Sequence, residues 1–113
     1  MSVFEADRVN EKHKGIVTRD GIRIHETVDY QGMQAAGRVA AEILDEIAEH
    51  VFPGQSTAEI DRIIEEKEIA KGTKSATIGY KGYQHASCIS INHVVCHGIP
   101  NEKPLKKGDI VNI

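Results

Sequence analysis

Residues 79–98 have the sequence GYKGYQHASCISINHVVCHG, and the chain reaches its last residue with GDIVNI (108–113). The first of these segments holds two tyrosines, both cysteines and three of the six histidines of the chain. Side chains that can bind ligands, donate hydrogen bonds or coordinate metals are therefore concentrated in one place, which predicts one wall of a site. Residues 110–113 have the composition of a strand with no turn residue after it. We therefore expect the chain to be part of an enzyme whose remainder is missing.

The composition is that of a soluble globular domain. Apolar residues make up 40% and charged residues 27% of 113 residues, which fits one domain and argues against disorder. The net charge is −3 with acids and bases interspersed, which argues against a nucleic-acid-binding surface. The longest apolar stretches are only a few residues, so no membrane span is expected. The N-terminus lacks the features of a secretory or transit signal. We therefore expect a cytoplasmic protein in which Cys88 and Cys96 are reduced.

The N-terminal half predicts an arm, a hairpin and a helix. Residues 1–14 are polar and are expected to form a loosely held arm. Asp20-Gly21 lies between two short apolar segments and favours the turn of a small antiparallel hairpin. Apolar residues then recur at three- and four-residue steps from Thr27 to about His50, which predicts an amphipathic helix. Pro53-Gly54 is expected to end it.

A second helix has clear start and stop signals. Ser56 and Glu59 have the spacing of a capping box, and Gly72 lies where a C-terminal cap belongs. The acidic and basic residues of 65–68 are expected to form a solvated face of this helix. The start, the apolar stripe and the stop together predict a helix from about residue 57 to residue 71.

The residues after Gly72 are predicted to form strands. Residues 75–78 are a short strand candidate, and 88–91 and 94–97 are expected to form a hairpin through Asn92-His93. Residues 109–113 begin a further strand. Two helices followed by antiparallel strands indicate an α+β fold.

Two chemical interpretations of the 79–98 segment, a zinc site and a cysteine nucleophile, are disfavoured. Structural zinc ligands usually come in closely spaced pairs, whereas Cys88 and Cys96 are eight apart, and Cys96 and His97 are adjacent, so on a strand they would point to opposite faces. A cysteine nucleophile needs a base within hydrogen-bond reach and a group that orients the base. Cys88 lies between apolar residues, where a cysteine is more often a small buried hydrophobe.

For His97 and the two tyrosines, both a functional and a purely structural role remain open. His97 precedes Gly98 at an expected strand end, where a neutral imidazole can bind a polar group or support proton transfer. It can equally be a structural histidine at a strand terminus. Tyr80 and Tyr83 can line an apolar pocket with their hydroxyls at its rim, or they can simply pack a loop onto the core.

Several stretches of the chain strongly resemble the type I methionine aminopeptidases, which remove the initiator methionine from new polypeptides. The matching stretches are MQAAGRVAAEIL (33–44), PGQSTAEID (53–61), GYKGY (79–83) and SCISINHVVCHGIPNEKPLKKGDIVNI (87–113). The resemblance divides the chain into an arm and hairpin, 1–26, and an incomplete N-terminal half of the aminopeptidase domain, 27–113. It implies the first half of a pita-bread, creatinase/aminopeptidase-like α+β fold with an antiparallel sheet and two helices.

The resemblance also implies site residues. His97 corresponds to the family's catalytic and substrate-binding histidine, which hydrogen-bonds the substrate near the scissile amide. Tyr80, Tyr83 and Cys88 correspond to the substrate-binding residues that line the pocket for the methionine side chain. Cys96 is expected to pack behind His97.

Two divalent metal ions (Co, Mn, Fe or Zn) support the reaction in this family by activating a water that attacks the peptide carbonyl. The five ligands of the family come after the position of Ile113, so none is expected in this chain, which alone is predicted to be inactive. The implied partners are the N-terminal methionine of nascent peptides and, for the full enzyme, the ribosome. The complete protein is expected to be a monomer with no membrane or specific nucleic-acid partner.

Two other functions remain open. One is a non-catalytic interaction module that retains half of the fold as a binding surface. The other is a metal-free pseudoenzyme or a proline-specific dipeptidase relative within the same fold. The HVVCHGIPN stretch (93–101) favours the aminopeptidase over the dipeptidase.

Overall fold

A computed structural model describes residues 15–113 and confirms the α+β class. The helices are α1 (Thr27–Ile47) and α2 (Thr57–Ala70), and the strands are β1 (Ser90–Ile91) and β2 (Val111–Asn112). Short 3₁₀ turns lie at Ala48–His50 and Tyr80–Gly82. The polar arm expected at 1–14 lies outside the described residues.

The predicted hairpin before α1 is present. Thr18 N donates to Ile22 O at 2.8 Å, Val17 and Arg23 form an antiparallel bridge, and Gly21 at the turn has a φ of 80°. Asp-Gly favours such a turn because glycine adopts positive φ without a steric cost.

Both helices start where the sequence predicts. At α1, Glu26 and Asp29 form a reciprocal capping box, in which Glu26 N donates to Asp29 Oδ2 at 2.7 Å. At α2, Ser56 Oγ accepts a hydrogen bond from Glu59 N at 3.1 Å. These side chains satisfy amides that the first turn of a helix leaves without partners.

The core lies between the helices and the segment that follows them. Its buried residues are Ile43, Ile47, Ile60, Ile64, Ala86, Ile89 and Leu105. At the edge of the helix pair, Glu46 pairs with Lys67 Nζ at 3.0 Å and with Lys71 Nζ at 2.9 Å. Hydrogen bonds from Lys71 and then Lys67 lower the pKa of Glu46. The two helices therefore pack through buried isoleucines, and lysine–glutamate ion pairs lie at the edge of that contact.

The strand pairing differs from the predicted hairpin. β1 pairs antiparallel with β2, with Ser90 opposite Asn112 and Ile91 opposite Val111. The expected strand at 94–97 is wrong, although Asn92 does turn the chain with a φ of 52°. The Asn92 side chain explains why β1 pairs with β2 and not with 94–97. It donates to Asp109 Oδ1 and accepts from Ile110 N, both at 2.9 Å. Those contacts bring the 109–112 segment alongside β1.

The strand predicted at 75–78 is also wrong, because this segment forms bends and a turn. Thr77 Oγ1 donates to His85 O at 2.6 Å and lies 3.0 Å from Ser75 Oγ. Local hydroxyl hydrogen bonds offer the backbone an alternative to a strand ladder, and here they take that role.

The loop after Gly98 is tied to the start of α2. Asn101 O accepts hydrogen bonds from Ala58 N at 2.8 Å and from Thr57 Oγ1 at 3.2 Å. Leu105 N donates to Gln55 O at 2.7 Å, and the Leu105 side chain enters the core.

Neither helix in the described part of the chain, residues 15–113, combines the length and apolar content needed to cross a membrane.

Candidate functional site

Tyr83 and Cys88 are brought together by the structure. The Tyr83 hydroxyl donates to Ser87 O at 2.7 Å and accepts a weak hydrogen bond from Cys88 Sγ at 3.5 Å. Both side chains are half-buried. The Tyr83 hydroxyl and the Cys88 thiol are therefore in direct contact, and both side chains remain partly open to solvent.

The polarity of this contact is fixed by the surroundings of Tyr83. Burial raises the pKa of Tyr83 to about 12, and the hydrogen bond with Cys88 and the negative charge of Asp61 act in the same direction. The phenol therefore remains protonated at neutral pH. Its proton is donated to a backbone carbonyl, so the hydroxyl is occupied by the protein.

A buried carboxylate on α2 lies behind these two residues and was not identified from the sequence. Asp61 is 5% exposed, accepts from Ser87 Oγ at 2.7 Å through Oδ1, and lies 3.2 Å from His85 Nδ1 through Oδ2. The signal was present as a helical row, because Thr57, Asp61 and Ile64 recur at i, i+4 and i+7 and are all buried. In the sequence, the apolar periodicity of the isoleucines is the stronger signal, and Asp61 does not contribute to it.

Tyr80 is not part of the Tyr83–Cys88 contact. Its side chain is 65% exposed, with Lys81 Nζ 5.5 Å from the ring centroid. The loop around it is closed by Gly79 N donating to Tyr83 O at 2.7 Å. Gly79, Lys81 and Gly82 all have positive φ, so the loop projects Tyr80 away from the core.

His97 is exposed and has a φ of 55°, a left-handed conformation that costs a non-glycine residue of the order of 1–3 kcal/mol. The next residue explains how this geometry is held. Gly98 N donates to Ser90 Oγ at 3.0 Å, and Ile89 N donates to Gly98 O at 2.8 Å. A Cβ on Gly98 would lie 2.1 Å from Ile89 O, so only glycine fits against β1. The close contact at Gly98 fixes where His97 is presented.

Cys96 does not pack behind His97. Its side chain is exposed, because residues 94–97 do not form a strand against the core. Cys88 and Cys96 are both free, without a disulfide between them.

The residues described do not themselves form a metal centre. Within 15–113 no three His, Cys, Asp or Glu side chains converge in a way that could hold an ion. Asp61 already accepts from Ser87 and faces His85, and Asp109 accepts from Lys106 N and Asn92 Nδ2. Both carboxylates are therefore already engaged by groups of the chain itself.

Comparisons with known proteins agree with the resemblance. The family model described as metallopeptidase family M24 matches residues 31–113. Methionine aminopeptidase from Rickettsia prowazekii is 49% identical over 92 residues, and that from Escherichia coli (strain K12) is 51% identical over 94 residues. Each alignment covers 81% of this chain and 36% of the relative, so the chain spans about a third of the length of these proteins.

Solved structures give the same result for the fold. The crystal structure of methionine aminopeptidase from Rickettsia prowazekii matches with a TM-score of 0.77 at 48% identity. That of methionine aminopeptidase from Thermotoga maritima matches with a TM-score of 0.76 at 36% identity. Each match covers 80% of this chain and 36% of the other, which confirms the expected part of the pita-bread fold. The chain therefore belongs to metallopeptidase family M24, in which it corresponds to an N-terminal portion of a methionine aminopeptidase.

Proposed function

We propose that this chain supplies the methionine-binding wall of an enzyme that removes the N-terminal methionine from new polypeptides. The observation that carries the proposal is the contact between Tyr83 and Cys88, two residues that the resemblance assigns to the methionine pocket. A tyrosine ring and a polarizable thiol suit a thioether side chain. The Tyr83 hydroxyl is held by Ser87 O, so the ring is left for apolar contact.

Tyr80 and His97 have separate roles in this proposal. Tyr80 provides an exposed ring that becomes part of the pocket when a substrate side chain covers it. His97 hydrogen-bonds the substrate beside the scissile amide, since an imidazole can donate through one nitrogen and accept through the other. Its exposure and its left-handed backbone support a role in contacting a ligand.

The divalent metals of the reaction, Co, Mn, Fe or Zn, are supplied in this proposal by ligands outside the 113 residues. The resemblance puts all five family ligands after the position of Ile113. We therefore propose that the isolated chain does not hydrolyse peptides. Acting on nascent chains, the complete enzyme works as a monomer in the cytoplasm, near the ribosome.

A chimeric enzyme tests the role of the chain in catalysis. The 92 residues of the Rickettsia prowazekii enzyme that match this chain are replaced by their counterparts here. The chimera is assayed on a Met-Gly-Met tripeptide with cobalt or manganese. We expect turnover, and we expect His97→Ala to lower kcat/KM by about 10²-fold or more, as for loss of a group that contacts the reacting atoms. His93→Ala, an exposed residue in the turn of the same segment, is the control and should change kcat/KM little.

Two results would contradict the proposal. A chimera that folds with the thermal stability of the parent enzyme but shows no turnover would remove the assigned pocket function. Turnover by the isolated chain above a metal-only control would refute its proposed inactivity.

An interaction module is the second candidate, and one observation favours it. Val95, Ile99 and Ile110, which lie in or near the 94–99 segment and β2, are 92%, 62% and 75% exposed. Exposed apolar residues near a strand edge are typical of surfaces that a partner covers. Sedimentation of the isolated chain separates the candidates: a stable homodimer that Ile110→Lys dissociates would favour the module, and a monomer would favour the aminopeptidase portion.

A further inference from the structure

Asp61 is an ionisable group buried where the isoleucine stripe of α2 meets the core. Moving a carboxylate out of water costs several kcal/mol unless it is paired or hydrogen-bonded. Asp61 lies beside Ile60, which is 0% exposed, and is itself only 5% exposed. Its presence there requires partners, and both of its side-chain partners come from the segment that carries Tyr83 and Cys88.

Ser87 connects the carboxylate to the pocket. Its hydroxyl donates to Asp61 Oδ1 at 2.7 Å, while its carbonyl accepts from the Tyr83 hydroxyl at 2.7 Å. The same tyrosine oxygen accepts from Cys88 Sγ at 3.5 Å. A chain of four groups thus runs from α2 through Ser87 and Tyr83 to the Cys88 thiol.

His85 gives a second connection on the other side. Its Nδ1 lies 3.2 Å from Asp61 Oδ2, and its ring packs edge-on against Tyr83 with centroids 5.5 Å apart. One carboxylate therefore contacts the residues on both sides of Ala86 and, through them, holds the ring and the hydroxyl of Tyr83.

The contacts of Asp61 with His85 and Ser87 matter because residues 83–88 form neither helix nor strand. Their other fixed points are local hydrogen bonds, from the Thr77 hydroxyl to His85 O, from the Gly79 amide to Tyr83 O and from the Tyr83 amide to Tyr80 O, and the buried side chain of Ala86. Because no backbone ladder is present and the local hydrogen bonds do not reach α2, the hydrogen bonds that fix this segment to α2 are those of Ser87 and His85 with Asp61.

We propose that Asp61 is a positioning residue that sets the geometry of the methionine pocket by clamping Ser87 and His85. It does not touch the substrate and acts through Tyr83 and Cys88. The inference rests on the proposed function for the meaning of the pocket, and its test does not require methionine binding or turnover.

The test measures how fast iodoacetamide alkylates Cys88 in the full 113-residue chain, with Cys96→Ser present throughout. Asp61→Ala should raise the rate about tenfold, because losing a buried hydrogen-bond acceptor increases the population of the locally open segment. Asp61→Asn should restore a rate within about twofold of the parent, since its amide oxygen still accepts from the Ser87 hydroxyl. Asp45→Ala, an exposed aspartate on α1, is the matched control and should leave the rate unchanged.

A double-mutant cycle distinguishes a clamp from general destabilisation. Ser87→Ala alone should also speed alkylation, but in the Asp61→Ala background it should add no more than about twofold, because both changes break one connection. The Tyr83 ring resonances should shift in Asp61→Ala and Ser87→Ala and stay in place in Asp45→Ala. Thermal unfolding of each variant shows that it remains folded.

Several results would overturn the inference. One is an Asp61→Ala rate within twofold of the parent in a folded chain. Another is multiplicative effects of the two changes in the cycle. A third is a parent chain in which Cys88 reacts as fast as it does in urea. If Asp61→Ala does not fold, the milder Ser87→Ala and His85→Gln variants decide, and unchanged alkylation in both would reject the clamp. Failure of the chimera to turn over substrate would leave these outcomes unaffected.

Discussion

The helix pair and the segment 75–113 are stabilised in different ways. α1 and α2 have regular helical hydrogen bonds and bury a row of isoleucines between them. Lysine–glutamate ion pairs join the two helices at the edge of this contact. The 75–113 segment has two strands of two residues each. Elsewhere it is held by three buried apolar residues, by isolated backbone hydrogen bonds and by side-chain hydrogen bonds to distant residues, such as Ser87 to Asp61 and Asn101 N to Thr57.

The helices, which support the fold, are therefore distinct from the segment that carries the candidate site residues. The helices provide a rigid surface, and the residues with ligand-binding chemistry lie on irregular segments fixed to it. Loops positioned by a rigid scaffold are the usual place for binding residues. Changes in the isoleucine core of the helices should therefore alter global stability, while changes in the 75–113 segment should alter local geometry as well.

The largest expected effect is in the helix core. Ile60→Ala should lower the free energy of unfolding by about 2–5 kcal/mol, because Ile60 is 0% exposed and its loss leaves a cavity. Ile69→Ala on the same helix is the control, since Ile69 is 67% exposed, and it should cost less than about 0.5 kcal/mol. Urea unfolding followed by circular dichroism measures both. Equal losses for the two variants would show that α2 does not bury this face.

The next effect is at the contact that holds the site segment to β1. Gly98→Ala should cost about 1–3 kcal/mol, because its Cβ would lie 2.1 Å from Ile89 O and the backbone must move. Gly37→Ala has the opposite expected sign. Gly37 lies in α1 with nothing within 4 Å of an added Cβ, so alanine should add roughly 0.5–1 kcal/mol. The urea midpoint should fall for Gly98→Ala and rise for Gly37→Ala. Shifts in the same direction would contradict the different surroundings assigned to the two glycines.

A smaller effect is expected at His97. His97→Gly should be more stable than His97→Ala by about 1 kcal/mol, because only glycine adopts a φ of 55° without a Cβ penalty. His93, the control, lies outside the residues with positive φ, so there glycine should not be the more stable variant. Thermal unfolding of the four variants measures the difference. No advantage for glycine at 97 would mean that His97 is not in a left-handed conformation in solution.

The smallest effect is a pH-dependent one at the end of α2. Burial, and then the charges of Asp61 and Glu65, raise the pKa of Glu68, whose Oε2 is buried without a hydrogen-bond partner. A raised pKa means that the folded chain binds the proton more tightly than the unfolded chain, so stability falls as pH rises through the interval above about 4.5.

Glu68→Gln should therefore raise the thermal midpoint at pH 7 and have little effect at pH 3, where the carboxyl is protonated in both states. Glu102→Gln, on an exposed glutamate, should show no such pH dependence. A stabilisation by Glu68→Gln that is equal at both pH values would contradict the assigned charge effect.

The candidate site was only partly predictable from the sequence. Tyr83, Cys88 and His97 were identified because they lie in stretches that resemble the aminopeptidases, and composition alone left their roles open. Asp61 was missed because it contacts residues 24 and 26 positions later in the chain. Tyr80 was grouped with Tyr83, yet it is exposed because the backbone turns through positive φ at Gly79, Lys81 and Gly82.

The sequence by itself determined the two helices and the first hairpin, because their signals are local. The Ser56–Glu59 cap, the stop at Gly72 and the Asp20-Gly21 turn act over a few residues. Only the tertiary structure decided that β1 pairs with β2 and not with 94–97, since the Asn92 side chain selects Asp109 and Ile110 from 17 and 18 residues away. Strands of two residues carry too little periodicity to specify a partner, so their pairing follows from long-range hydrogen bonds and core packing.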